Sequence, residues 1–408
     1  MASKRQKYPS ICHARATPVE TKVRGRPNLK KKREEFSPKP PPLPSSNIPD
    51  LTRGRWRQTV TPIKMEQPPR SKGYRVEFPY PVLAADIGGT NARFALIAEP
   101  GDSPSHAVHR PTRGFPDLES AIEDALPELP DTPRSIIACA AGPVEGRRVV
   151  MTNANWTIDG AGVAKALGLR QGLLLNDFEA QALSLPIIRD EWVETIGKAR
   201  PKAQGTKLIL GPGTGLGVAA LLEIGGKHFA LASEAGHVDF GPMGSEESAI
   251  WPHLPMTPLG RISAEFLMSG PGLVRLHQAR LTSQGLIASR TLDEMHLVEQ
   301  GRANPHGEEA NTIRLFWRLT ARFAGDMALA FLATGGVTFS GGVLPRVIAF
   351  ADPTVFRARF EDKAPFGELL RKIDTRLIVA NDTVLHGMNA IAARPDDYAI
   401  DYAGRAWC

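Results

Sequence analysis

Leu173-Leu174-Leu175-Asn176-Asp177-Phe178-Glu179-Ala180-Gln181-Ala182 is a run of leucines that stops at two polar residues and then turns helical in pattern. The leucines suit a strand buried on both faces, and Phe178 to Leu183 suits the helix that follows it. That order puts a carboxylate at the carboxyl end of a strand. In open α/β sheets this is where ligands bind, so Asp177 is a candidate for chemistry as well as for capping the helix.

Around this point the chain repeats a pattern. Val82-Leu83-Ala84-Ala85-Asp86-Ile87 reads as a buried strand, Gly88-Gly89-Thr90-Asn91 as a turn, and Ala92 to Ala98 as a returning strand. Adjacent glycines let backbone amides approach an anion, and Thr90 and Asn91 add side-chain hydrogen bonds. Asp86, at the strand end, suits magnesium, bound directly or through water. A second copy follows 125 residues later: Leu208 to Leu210, then Gly211-Pro212-Gly213-Thr214-Gly215-Leu216-Gly217, then Val218 to Glu223. This loop fails the dinucleotide fingerprint, because Leu216 and Val218 stand where the third glycine would fall. No Walker A motif is present, since Gly226-Lys227 precedes His228. A strand-loop-strand phosphate clamp is expected, in a chain built from two related halves.

Three further segments carry polar or glycine-rich chemistry. Glu234-Ala235-Gly236-His237 sets a carboxylate and an imidazole three apart in a glycine-containing loop, suited to holding the hydroxyls of a polyol. Ser263 reads as a helix N-cap, with Glu265 in the first turn, and Pro271 opens another helix. Gly335 to Gly342 reads as a strand entering a third glycine turn, whose bare backbone at Gly341 and Gly342 suits an adenosine. Ile313 to Leu332 is expected to be a long amphipathic helix, Leu377 to Ala380 a strand and Leu385 to Ala393 a helix.

Composition divides the chain. The formal charge is +7 over 408 residues, yet residues 1 to 80 hold 19 Lys and Arg against 6 Asp and Glu, which leaves −6 for the other 328. The first 80 residues also hold 13 prolines and no helical or strand period, so a disordered basic tail is expected, with the fold starting at Pro81. Within the tail, Arg24-Gly25-Arg26-Pro27 and Lys30-Lys31-Lys32-Arg33 are similar to an AT-hook. A solvated basic leader, or translation from Met65, accounts for the same residues. The mildly acidic body is not expected to have nucleic acid as its main ligand. No 18-residue apolar run or signal segment occurs, so an intracellular, cytoplasmic protein that does not enter a membrane is expected. Cys12, Cys139 and Cys408 are too scattered for a disulfide framework or a cysteine zinc site.

Taken as a set, these motifs resemble the sugar-kinase branch of the actin and hexokinase superfamily, and more narrowly the zinc-free bacterial glucokinases. The resemblance rests on Asp86 to Arg93, Asn176-Asp177-Phe178, Gly213 to Gly217, Glu234 to Phe240, Ser263-Ala264-Glu265, Ser269 to Leu273 and Gly341-Gly342. It implies an α/β, two-domain actin-like ATPase (ribonuclease H-like) fold with a central cleft, behind the basic tail. The small domain would be 81–187 completed by 383–408, and the large one 188–382. Asp177 would be the general base. Asn176, Glu234, His237 and Glu265 would hold the sugar. Asp86, Gly88, Gly89, Thr90, Asn91, Gly213, Thr214, Gly215, Gly217, Gly341 and Gly342 would hold ATP, with Mg2+ at Asp86. The implied reaction is phosphorylation of glucose at O6 by ATP, with Mg2+ and without zinc. A homodimer is compatible with the resemblance, and the tail leaves room for weak, non-specific contact with nucleic acid. A kinase for fructose or mannose, or a sugar-sensing regulator with a DNA-binding tail, are the alternatives. Ala235, Pro212 and Asn381 to Gly387 depart from the family pattern.

Overall fold

The computed structural model describes residues 76–151, 154–201, 203–255, 257, 260–287 and 293–407. The AT-hook-like segment and Met65 lie outside the described residues. Among the described residues, fifteen strands form two six-stranded sheets and one small three-stranded sheet.

The first half contributes β1 (Val82–Ile87), β2 (Asn91–Ile97), β3 (Val108–Pro111), β4 (Ser135–Ala140), a small sheet of β5 (Val144–Glu145), β6 (Arg148–Val150) and β7 (Thr157–Asp159), and β8 (Gln171–Asn176). The second contributes β9 (Val193–Thr195), β10 (Lys207–Pro212), β11 (Leu216–Ile224), β12 (Lys227–Ser233), β13 (Val337–Phe339) and β14 (Thr375–Ile378), and the chain ends in β15 (Ala406–Trp407). The large sheets run β15-β8-β4-β1-β2-β3 and β12-β11-β10-β13-β14-β9. In each, a three-stranded antiparallel ribbon is followed by two strands parallel to its first strand, and a short antiparallel strand closes the edge. The halves inferred from the two glycine loops thus share one topology.

Burial follows position in the sheet. Every residue of β4 is buried, as an unbroken apolar strand covered on both faces should be. The edge strand β12 is largely exposed, with only His228, Ala230 and Ser233 partly covered. The 23-residue helix Glu308–Ala330 backs the second sheet with Ile313, Phe316, Leu319 and Phe323 fully or nearly fully buried. Such side chains contribute about 2 kcal/mol each. This helix starts five residues before the expected Ile313 and stops at Ala330, and Leu332 beyond it has a left-handed φ of 46°.

Two helices lie between the sheets. Asp177–Ser184 and Thr383–Ala393 pack on each other, and their Ala180, Leu183, Leu385 and Met388 share one core with Leu173 and Leu175 of β8 and Ile209, Ala219 and Leu221 of β10 and β11. A shift of the first helix is therefore felt by both sheets.

The boundary expected at Pro81 is corrected. Val76 and Phe78 are only 5% and 4% exposed and belong to that same core. Pro79 and Pro81 carbonyls accept bonds from the Ser135 hydroxyl and the Arg134 amide, both at 2.8 Å. Two alternating apolar residues after a proline-rich stretch are too short a signal for periodicity to detect. Among the described residues, no helix is long and apolar enough to cross a membrane.

Candidate active site

The first hairpin turn is fastened from outside. Thr112 donates its hydroxyl to Gly88 O at 2.9 Å and its amide to Thr90 O at 2.9 Å, while Gly88 N donates to Asn91 O at 2.9 Å. Thr90 and Asn91 are left exposed at the turn. Asp86, at the end of β1, is held by the Arg93 guanidinium across the β1–β2 pair and accepts from the buried Cys139 thiol at 3.3 Å. Arg93 in turn reaches Asp382, the left-handed residue that begins the helix Thr383–Ala393, at 3.0 Å. The C-terminal segment is thereby tied to the first hairpin through Asp382.

Asn176, not Asp177, caps the helix. Its Oδ1 accepts from the Phe178 and Glu179 amides at 3.0 and 3.1 Å, Glu179 reaches back to the Asn176 amide at 3.1 Å, and Nδ2 donates to Gly142 O at 3.0 Å. This capping box fixes Asp177 as the first helical residue, with its Oδ1 accepting from the Phe178 amide at 2.9 Å. Part of Asp177 meets solvent, yet burial pushes its pKa up to about 7, with the charges of Asp86 and Glu234 adding to the rise and the Phe178 amide opposing it. A carboxylate in that range can take a proton near neutral pH.

Beside it stand the residues expected to meet a sugar. Glu234 precedes the short turn Ala235–His237 and His237 ends it, and the imidazole lies between two carboxylates, Nε2 at 3.8 Å from Glu234 and Nδ1 at 4.0 Å from Glu265. Ser263 caps the helix Ala264–Leu267 and brings Glu265 to the Leu216 amide at 2.9 Å. Glu234 is exposed and Glu265 only partly so. Asn176 and Glu234 open onto a crevice of about 410 Å³ whose walls also include Pro143, Val144, Glu179, Ser233 and Arg405.

The glycines of the second loop separate by physical cause. A Cβ on Gly215 would stand 2.4 Å from Glu265 Oε2, and one on Gly217 would stand 1.9 Å from the Phe178 ring. Both positions are small because the neighbouring side chain already fills the space. Nothing lies within 4 Å of a Cβ on Gly213, and Thr214 is exposed, so these two face open volume. The second and third loops touch backbone to backbone. A Cβ on Gly211 would meet Ser340 O at 2.0 Å, and one on Gly341, whose φ is +86°, would meet Pro212 O at 2.5 Å.

Sequence reasoning passed over three basic residues that organise this region. Arg93 stood in a quoted motif without a role. Arg346 bridges Gly342 O at 2.7 Å and Glu294 at 2.9 Å. Arg405 clamps Glu179 at 2.6 and 2.7 Å. Each has one partner distant in the chain, Asp382 for Arg93, Glu294 for Arg346 and Glu179 for Arg405, so only a conserved pairing across relatives, not a local pattern, could signal it.

A profile described as Glucokinase matches residues 83–395, most of the chain. The chain belongs to the glucokinase family. The Agrobacterium fabrum glucokinase is 36% identical over 329 residues, spanning 80% of this chain and 96% of its own length. That of Sinorhizobium medicae is 36% identical over 332 residues, spanning 81% and 97%. Among solved structures, a glucokinase from an Antarctic psychrotroph aligns with a TM-score of 0.66 at 27% identity, covering 77% of this chain and 98% of that one. A ROK family glucokinase from Streptomyces griseus, solved with glucose and AMPPNP, shares the fold at a TM-score of 0.56 and 19% identity, covering 77% and 99%. The expected two-domain actin-like α/β fold is the one held in common with these glucokinase family structures.

Proposed function

We propose that this protein phosphorylates D-glucose at O6 with ATP, and that Asp177 is its general base. The observation that carries this reading is a carboxylate at the N-terminus of a helix, with its pKa raised to about 7, next to the Glu234, His237 and Glu265 cluster. Asp177 takes the proton of the 6-hydroxyl as that oxygen attacks the γ-phosphate in line, and ADP leaves. Glu234, His237 and Glu265 offer two carboxylates and an imidazole to the remaining hydroxyls, which fixes the ring so that the reacting oxygen meets Asp177. Asn176 spends its side chain on the cap and on Gly142, so it keeps one amide hydrogen for the sugar and otherwise acts by holding Asp177 in place.

ATP would lie along the three glycine turns, with phosphates toward Gly88 to Asn91 and toward Gly213 and Thr214, and adenosine at Gly341 and Gly342. The Asp86 carboxylate already accepts from Arg93 and Cys139, so a Mg2+ beside it would be held through water and by substrate phosphates rather than by a protein cage. The ion would neutralise charge on the transferring phosphoryl group. The two sheets support lobes at 188–382 and at 81–187 with 383–408, the second of these extended back to Val76.

A coupled assay of ADP release over glucose, fructose and mannose tests the reading. Preference for glucose, measured as kcat/KM with Mg-ATP, is the expected result. Equal turnover of fructose or mannose would reassign the sugar, and no turnover of any hexose would remove the kinase reading.

A further inference from the structure

The C-terminal segment reaches into the site from the far end of the chain. Trp407 of β15 is almost fully buried against β8 and the helix Gly160–Leu167. It occupies a notch that two glycines keep open: a Cβ on Gly160 or Gly172 would stand 2.5 or 2.3 Å from its indole. Anchoring Trp407 fixes the preceding Arg405. The Arg405 guanidinium then makes a bidentate pair with Glu179, at 2.6 and 2.7 Å, and a third bond to Leu174 O at 2.9 Å. Both side chains are largely buried, at 18% and 11% exposure, so the pair is shielded from water and from salt.

Glu179 is the third helical residue of the capping box, and the oxygen that Arg405 binds at 2.7 Å is the one that accepts the Asn176 amide at 3.1 Å. A charge-assisted fork is stiffer than a free glutamate, so it sets the position of the peptide that joins Asn176 to Asp177. We infer that Arg405 is a positioning residue for the candidate base: through Glu179 it locks the strand-to-helix corner on which Asp177 is carried. Its side chain also forms part of the wall of the crevice onto which Asn176 and Glu234 open, and its role in this scheme runs through Glu179. The inference rests on the glucokinase reading above, and wild-type turnover of glucose establishes that reading before any variant is compared.

The test compares full-length Arg405→Ala, Arg405→Lys and Glu179→Gln with the wild type, with folded fraction measured by circular dichroism. A displacement of about 1 Å at a reacting group can cost on the order of 10²-fold. For Arg405→Ala we expect kcat to fall by ~10-fold or more per folded molecule, with the KM for ATP within about twofold. Added guanidinium should restore part of that loss by refilling the fork. Arg405→Lys should remain low, because an ammonium cannot span both carboxylate oxygens in one plane. Should Arg405→Ala fail to fold, Glu179→Gln carries the decision: it preserves shape, and kcat should again fall with the KM for ATP unchanged. Wild-type kcat per folded molecule in Glu179→Gln, or a loss in Arg405→Ala that only tracks the folded fraction and does not respond to guanidinium, would overturn the inference.

Discussion

Arg93 and Asp382 are 289 residues apart and paired at 3.0 Å, and the same guanidinium holds Asp86. One side chain thereby joins the first glycine hairpin to the start of the C-terminal helix, and it compensates an acid whose charge raises the pKa of Asp177. Replacing Arg93 with Gln should leave Asp86 uncompensated and move the acid limb of the kcat/KM profile to higher pH. Asp382→Asn, which keeps that compensation, should move it less. The stability of Asp382→Asn should change little, since the Arg93–Asp382 pair is partly exposed on both sides. A pH-rate profile for each variant decides the point, and superimposable profiles would detach Arg93 from the electrostatics of the base.

The raised pKa of Asp177 gives a second pH dependence, of opposite use to the protein. The folded state holds the proton up to about pH 7, whereas the unfolded chain releases it near 3.8. Between those values the folded state binds more protons, so the contribution of this group to stability is full at low pH and is lost as pH rises through 7. Asp177→Asn should therefore match or exceed the wild type in thermal midpoint at pH 8 while losing activity. A clear drop in midpoint at that pH would show the carboxylate to be a stabilising ion.

Glycines in one loop should respond differently. Gly213→Ala meets open space, so its stability should stay within about 0.5 kcal/mol of wild type, while the KM for ATP rises as the added methyl intrudes on the bare face. Gly217→Ala would drive a methyl into Phe178, the neighbour of Asp177, and should lower both thermal midpoint and kcat. Denaturant melts with matched kinetics separate the two, and equal behaviour would merge them into one structural class.

Truncation tests the N-terminal boundary. Cutting before Pro81 removes Val76 and Phe78 from the core, at about 2 kcal/mol for each buried side chain, and should lower the thermal midpoint by several degrees. Cutting before Val76 retains both and should leave the midpoint higher than that of the shorter form. Equal midpoints would return the boundary to Pro81.

What could be read from the sequence followed from local pattern. The buried strands β1, β4 and β8, the two glycine loops, the Ser263 cap and the strand end before Asp177 all announce themselves within ten residues, through apolar runs and turn chemistry. The repeat of hairpin plus loop was enough to foresee two halves, and the structure adds that they share a strand order. What was not legible depends on pairing across the chain. Arg405 with Glu179 and Arg93 with Asp382 have no local signature, and the small edge strand β15 holds only two residues. The reason for glycine at 215 and 217 was also hidden, because phosphate approach and side-chain packing call for the same missing Cβ.

Turnover of glucose by Asp177→Ala, measured on protein whose circular dichroism and thermal midpoint show an intact fold, tests the central claim most directly. Loss of a general base should lower kcat by at least ~10²-fold, with the KM for ATP little changed, because a base for the sugar hydroxyl leaves nucleotide binding alone. Turnover within a few-fold of the wild type would contradict the assignment of Asp177 as the base.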